Sequence, residues 1–387
     1  MALRGRAPTG ETLACVLGDM DLVRPLALAG IPCAVVARRD DPAAFSRHVL
    51  TRIERLDAWT EQSAQVAELV RFGRDQHEPP VLCYGGDAEL LIVSERREAL
   101  ASAFRFVVPD AGLVQDLVRK DRFAELARRL ELPVPASIRL APRDGPPPPT
   151  LPLPAMIKPI TRQDAAWAHA AGRAKAVRVD TEAELCRLWP RLAAAGGDVV
   201  AQELIEGPET RIESYHAYID AAGAVAGEFT GRKLRTLPPD FGHSTALTTT
   251  DAPDVADLGR SVARRLGLTG LLKADFKRTA RGELRLLEVN PRFSLWHHVG
   301  AVAGVNLPAL VYADLTGTPR PGAATARPGV TWISPWQDFQ ASRAAGVSPV
   351  RWLTWLARCP ARSILAWDDP MPFLRGRIWR RVVRELR

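Results

Sequence analysis

The stretch from Gly270 to Asn306, GLLKADFKRTARGELRLLEVNPRFSLWHHVGAVAGVN, constrains this chain more than any other. Its pattern predicts two strands, Leu271 to Thr279 and Glu283 to Val289, joined at Ala280-Arg281-Gly282 and followed by a loop into a helix. With Arg281-Gly282 as a two-residue turn, Asp275 faces Glu288 and Lys273 faces Asn290. Cross-strand partners on one face hold their Cβ atoms roughly 4.5–5.5 Å apart. Two carboxylates at that range repel unless one is protonated or a cation lies between them. A hard divalent cation fits: Asp275, Glu288 and the Asn290 amide oxygen form a magnesium set. The other reading is a surface hairpin with its charges in water, because a one-residue slip sends the two acids to opposite faces.

The N-terminal third alternates strands with helices. Thr12 to Gly18 reads as a buried strand, Asp21 to Ala29 as a helix stopped by Gly30, and Ile31 to Ala37 and Val81 to Tyr84 as further strands. That alternation implies a parallel sheet with crossover helices. Such sheets bind ligands beyond the carboxyl ends of their strands, which puts Gly18-Asp19 and Gly85-Gly86-Asp87 on a ligand edge. No GxGxxG is present, so a dinucleotide site is not supported. Asp87 reads either as the N-cap of a helix over Ala88 to Arg97 or as a substrate contact.

The middle carries lysines on separate elements. Asp121 to Leu130 is an amphipathic helix just after Lys120, and Arg143 to Pro154 is a stiff proline-rich connection. Ala155 to Pro159 is a short apolar strand containing Lys158. A flexible-looking stretch, Thr161 to Arg173, separates it from Lys175 and the strand Ala176 to Val179. Thr181 to Leu192 reads as helix, Val199 to Ile205 as strand, and Glu206-Gly207-Pro208-Glu209 as a turn. A lysine in a buried strand is costly unless its charge is used. Lys158 and Lys175 could therefore clamp a polyphosphate, or both could reach the surface along their stems.

The net charge of +8 raises nucleic acid as a partner, but no basic run is interleaved with aromatics as a single-strand channel requires. Only six of the 52 basic residues are lysines. The balance suits small anionic ligands such as nucleotides. Five cysteines, odd in number and without a CxxC pair, argue against a disulfide framework or a zinc site. With no signal-peptide pattern and no apolar run of about 18 residues, the expectation is a cytoplasmic protein.

Taken together, Lys120, the IKP at Lys158, QELIEGPE from Gln202 to Glu209, Asp275, LLEVNPR from Leu286 to Arg292 and AGVNLP from Ala303 to Pro308 resemble the ATP-grasp superfamily. The likeness is to its carboxylate–amine ligases and runs from about Thr12 to Gly317. The YGGDAELLIVSERREAL stretch at Tyr84 to Leu100 is similar to the subgroup near D-aspartate ligases.

The resemblance implies a mixed α/β and α+β fold. An N-terminal Rossmann-like, parallel-sheet pre-ATP-grasp domain (1–115) precedes a two-lobed ATP-grasp fold. The small lobe is 116–205, the large lobe with the magnesium site 206–320, and a linker with a Trp/Arg-rich C-terminal appendage fills 321–387. It also implies ATP and one or two Mg2+ ions, with Mn2+ as a substitute. Lys120, Lys158 and Lys175 would contact phosphates, with a lid over Thr161 to Lys175 that is poorer in glycine than the family's. Gln202, Glu203, Leu204 and Ile205 would hold adenine, Glu209 the ribose, and Asp275, Glu288 and Asn290 the metal. Lys273 stands where D-alanine–D-alanine ligases place an arginine, so Lys273 and Arg292 are the catalytic candidates.

The implied reaction joins a carboxylate to an amine through an acyl phosphate, releasing ADP and phosphate. Biotin-carboxylase-like carboxylation, which shares Glu-x-Asn-Pro-Arg, and a non-catalytic nucleotide-binding module are the alternatives. For the substrates, Arg232, Lys233 and Arg235 lie in Thr230 to His243, read as a basic loop that receives a carboxylate or is merely solvated. His297 and His298 line the acceptor pocket or belong to the core of the next helix. The tail from 330 to 387 holds six of the ten tryptophans and an arginine-rich end. It packs on the ligase core or docks on an anionic membrane surface. The expected partners are otherwise small-molecule substrates, and a homodimer is left open.

Overall fold

Three sheets organise the computed structural model, which describes residues 11–57, 60–147, 151–161, 165–172 and 174–379. Residues 162–164 and 173 of the expected lid lie outside the described residues, as do 148–150 of the proline-rich connection and Arg380, Arg381, Arg384 and Arg387 of the tail.

The first sheet is parallel. Its order is Val49–Glu54, Cys33–Ala37, Ala14–Leu17, Val81–Tyr84. Every residue of Ala14–Leu17, Cys33–Ala37 and Val81–Tyr84 is buried, as expected of apolar strands covered on both faces. The chain builds outward from Ala14–Leu17 and then crosses to its other side, so the order reverses between Ala14–Leu17 and Val81–Tyr84. The crevice beyond that reversal is flanked by Gly18-Asp19 and Gly85-Gly86-Asp87. Cys15, Cys33 and Cys83 fill this core, and burial raises all three thiols.

The second sheet is antiparallel, in the order Ser137–Leu140, Val199–Glu203, Ala155–Pro159, Val177–Val179. The Lys120 N–H donates to Ile160 O (3.0 Å), which draws the start of the helix Lys120–Arg129 to the end of the Lys158 strand. The flexible-looking stretch before Lys175 contains a short helix, Ala165–Ala171. Trp167 pins it, buried and donating to Ala174 O (2.6 Å).

The third sheet has seven strands. In order they are Leu284–Asn290, Gly270–Arg278, Ile212–Ile219, Val225–Leu237, His243–Thr250, Thr331–Ile333 and Ala361–Arg362. Strand alternation splits Gly270–Arg278 cleanly. Leu272, Ala274 and Phe276 pack with Val262 and Leu266 of the helix Pro253–Leu266, while Lys273, Asp275 and Lys277 point to the opposite side.

Two expectations change here. Thr230 to His243 is not a basic loop: most of it belongs to the long strand Val225–Leu237, paired with His243–Thr250. The segment 321–387, set apart in the sequence as linker and appendage, supplies the last two strands of the large sheet. Thr331–Ile333 pairs with Ala246–Thr248, a partner too distant in the chain for local pattern to reveal.

The hairpin keeps its expected pairing for an unexpected reason. Asp275 faces Glu288 and Lys273 faces Asn290. The loop, however, is three residues long, with Thr279 N–H bonded to Glu283 O (2.8 Å) and Gly282 at φ +88°. That geometry favours glycine and is a common hairpin closure. It shifts the pairing by one, so Arg278 faces Leu284. A bulge at Leu287 then restores it, because Phe276 pairs with Leu286 while Asp275 pairs with Glu288.

Candidate active site

Two cavities meet at this hairpin. The first, about 750 Å³, is lined by Lys120, Lys158, Lys175, Gln202–Ile205, Glu209 and Lys277. The second, about 620 Å³, opens on the crevice of the parallel sheet and reaches Lys273 and Arg292. Asp275, Glu288, Lys175, Lys233, Gly242 and His243 line both. The sequence has six lysines, and all six line one or both cavities. Arginine supplies the positive charge elsewhere. A lysine is a compact point charge whose three rotatable donors can follow phosphate oxygens, whereas arginine's donors sit in a fixed planar fork.

Lys158 donates to Gln202 Oε1 (2.6 Å), and Gln202 Nε2 donates to Ser137 Oγ (3.0 Å). Burial lowers the Lys158 ammonium to about 8; Lys120 and Lys277 add to this, while Glu288 and Glu209 oppose it. An anion entering the cavity would restore the charge. The N–H groups of Glu203 and Leu204 are taken by Ala136 O (2.8 Å) and Pro154 O (3.2 Å), so neither is open to a base. Glu209 lies 3.8 Å from Lys277, whose own ammonium is lowered by burial. Lys277 was not singled out in the sequence. Its signal is the two-residue spacing from Asp275, which puts both on one face.

Asp275 is buried and accepts from Ser214 Oγ and from Lys273 Nζ. Lys273 Nζ is also 3.7 Å from Glu288 Oε1, so the ammonium holds the place of a cation between the two acids. The two carboxylates and the nearby Asn290 amide are hard oxygen donors, a set whose chemistry fits magnesium. Asn290 needs a turn to join it. Its Nδ2 donates to Glu288 Oε1 (3.1 Å), and its Oδ1 accepts from Arg292 (3.3 Å).

Arg292 ties the hairpin exit to the parallel sheet. It donates to Asp87 Oδ1 (2.6 Å) and Gly85 O (2.9 Å). Asp87 makes no side-chain cap on its helix, Asp87–Glu95; Gly86 holds the N-cap position. The N-cap reading is replaced by an ion pair on the cavity wall.

Four sequence candidates, Arg232, Arg235, His297 and His298, are not brought to the site. Arg232 is exposed and lines neither cavity. Arg235 forks onto the buried Asp338 with two bonds of 2.7 Å and lies over the Trp355 ring. Of the three basic residues only Lys233 points inward. His297 is fully buried in the helix Trp296–Ala303, edge-on to Phe293, and burial lowers it to about 3. It lines neither cavity, and His298 is buried against Asp21 (3.1 Å). Beneath Lys273 lies His216, stacked on Phe229 at 4.6 Å and unmarked in the sequence. Among the described residues no hydrogen bond reaches either ring nitrogen of His216, Nε2 of His297 or Oγ of Ser294.

Residues 202–335 match a family model described as ATP-grasp in the biosynthetic pathway with Ter operon. The D-aspartate ligase of Enterococcus faecium (strain Aus0004) is 22% identical over 289 residues, spanning 70% of this chain and 68% of that protein. An ADP complex of N5-carboxyaminoimidazole ribonucleotide synthetase shares the fold with a TM-score of 0.63 at 14% identity, over 87% of this chain and 85% of its own. An L-amino acid ligase from Bacillus licheniformis gives a TM-score of 0.60 at 16% identity, over 80% and 75%. The matched segment contains Gln202 to Glu209 and the whole acid-bearing hairpin, and the fold agrees along most of the chain. By these comparisons residues 202–335 match an ATP-grasp family model, and the chain shares the fold of such enzymes along most of its length.

Proposed function

We propose that this protein is an ATP-dependent ligase that joins a carboxylate to an amine through an acyl phosphate and releases ADP and phosphate. The observation that carries the reading is the shared wall. One cavity has lysines and a strand-end segment suited to a nucleotide, and the other opens on a sheet crevice suited to a small molecule. They touch only where Asp275, Glu288, Lys175, Lys233, Gly242 and His243 line both. Relatives named as a D-aspartate ligase and an L-amino acid ligase support the same reaction class.

A carboxylate is a poor acyl donor because its leaving group would be oxide. Phosphorylation supplies a leaving group, and an amine can then attack the carbonyl and expel phosphate. In this reading Lys120, Lys158 and Lys175 screen the polyphosphate, and Glu209 grips the ribose. Asp275, Glu288 and Asn290 would hold Mg2+, which would supply charge neutralisation at the transferring phosphate. Lys273, beside the acid pair, would meet the reacting carboxylate with its ammonium, and Arg292 would fix the loop on which this depends.

The test is ADP release across panels of carboxylates and amines. Release that requires one of each supports the ligase. Release with bicarbonate alone favours the carboxylating alternative, and tight MgATP binding without turnover favours a binding module.

A further inference from the structure

The second cavity has a wall that the reaction class does not explain. Among the residues lining its portion not shared with the nucleotide cavity are the apolar Leu17, Leu22 and Pro42 of the N-terminal part, Leu295 after the hairpin, and Trp336 and Ile364 of the C-terminal segment, with Ser334, Gln337 and Ser363 as polar neighbours. At about 620 Å³ it is sized for a whole small molecule. Trp336 keeps 42% of its surface exposed, while its strand neighbour Trp332 is buried. A large aromatic face turned to a cavity is a costly exposure in the empty state and a strong contact in a filled one.

The C-terminal wall is clamped in place. The buried Asp21 accepts from Ser363 Oγ and Trp332 Nε1, both at 2.7 Å, and Arg24 donates to Ser363 O at 3.0 Å. Farther on, the buried Asp369 accepts from Ser46 Oγ (2.6 Å) and the Arg47 N–H (3.1 Å). These bonds seat 363–369 beside the loop that carries Pro42. The apolar wall is therefore part of the resting structure.

The charges in this part of the cavity argue against an anionic side chain. Its two arginines are spent, Arg292 on Asp87 and Arg55 on Glu89. Asp19 and Asp41 line the same cavity, and each carboxylate accepts from a backbone N–H, of Asp21 and Arg38 respectively. Desolvation, with Asp21 beside it, raises the Asp19 carboxyl to about 7, so this wall disfavours further negative charge near Asp19, and the Asp41 carboxylate repels another.

Resting on the ligase reading, we propose that one substrate is an amino acid with a bulky apolar side chain. That side chain, aromatic or branched aliphatic, seats against Trp336 and Ile364, with the reacting end beside Lys273 and Arg292. This separates the chain from its D-aspartate ligase relative, whose named substrate carries an anionic side chain.

The test is calorimetric binding to the full chain saturated with MgADP, using phenylalanine, leucine, alanine and aspartate in both hands. The better apolar probe binds at least about tenfold tighter than alanine or aspartate of the same hand. Trp336→Ala weakens that binding by about tenfold or more, Trp336→Phe retains it, and both leave MgADP affinity unchanged. Aspartate or alanine binding as tightly as the apolar probes overturns the proposal. So does undiminished apolar binding to Trp336→Ala, or no apolar binding up to about 10 mM. The ligase reading fails separately, if ADP is released with no pair of substrates even though the apolar probes bind.

Discussion

Single side chains set the sharpest expectations. Glu288 is half-exposed, so Glu288→Gln alters the proposed metal site without opening the core. ADP release falls by at least about 100-fold with the thermal unfolding midpoint held, and near-normal turnover would refute the metal assignment. Lys158 gives a pH dependence. Its pKa of about 8 means that raising pH through 8 discharges it in the free protein, so MgADP affinity falls above that point, approaching about tenfold per unit. In Lys158→Arg the charge persists and the slope flattens, although the fork fits less well. Equal slopes by calorimetry would show that Lys158 makes no charged contact.

His216 and His297 carry the opposite lesson, about stability. Burial lowers both below the unfolded value near 6.5. The unfolded chain therefore takes up protons first as pH falls below about 6.5. Stability is full above that pH and is lost toward the folded values, about 3 for His297, at up to ~1.4 kcal/mol per pH unit for each residue. His216→Leu removes two unpartnered ring nitrogens, so it changes little at pH 7 and blunts the acid loss. Urea midpoints at pH 7.5 and 5.0 check this; an unchanged difference between the two pH values would sink it.

At the scale of elements, the acid-bearing hairpin shows how a sequence reading can succeed through two compensating errors. The turn at Ala280-Arg281-Gly282 is one residue longer than read, and the bulge at Leu287 returns the missing residue. Strand period alone marks the face but not the bulge, because a run such as LRLLEV is apolar enough to tolerate either register. Arg235 failed for a different reason. It was read in a loop but lies on the strand Val225–Leu237, and its partner Asp338 is about a hundred residues on, in the helix Pro335–Ala344, where it also binds Thr245 (2.9 Å) and Trp352 (2.9 Å). Arg235→Ala leaves that buried carboxylate short of its cation and destabilises by about 3–5 kcal/mol. Substrate KM stays within twofold; a large KM change with unchanged stability would return Arg235 to the substrate.

For the whole molecule, the legible parts were those encoded locally: strand–helix alternation, the lysine-bearing strands and the acid pair. The far wall of the second cavity was not, because it forms when 331–333 and 361–369 reach partners more than three hundred residues away or across the large sheet. The tail's tryptophans are distributed accordingly. Trp332 and Trp352 are buried and Trp336 lines the cavity, while Trp367 is 85% exposed. Among the described residues no single helix is long and apolar enough to cross a membrane. We read the segment as built into the enzyme, so the full chain should not sediment with phosphatidylserine vesicles beyond a neutral-vesicle control. Salt-sensitive co-sedimentation would restore peripheral docking.

The gathering of every lysine at the two cavities has a chemical corollary. An amine-selective acylating reagent would find, apart from the α-amino terminus, no lysine target elsewhere on this protein. Modification would then titrate the site itself, and bound nucleotide would shield most of what the reagent can reach. A surface dressed in arginine leaves the cleft as the molecule's one concentration of primary amines, so covalent labelling alone can footprint it.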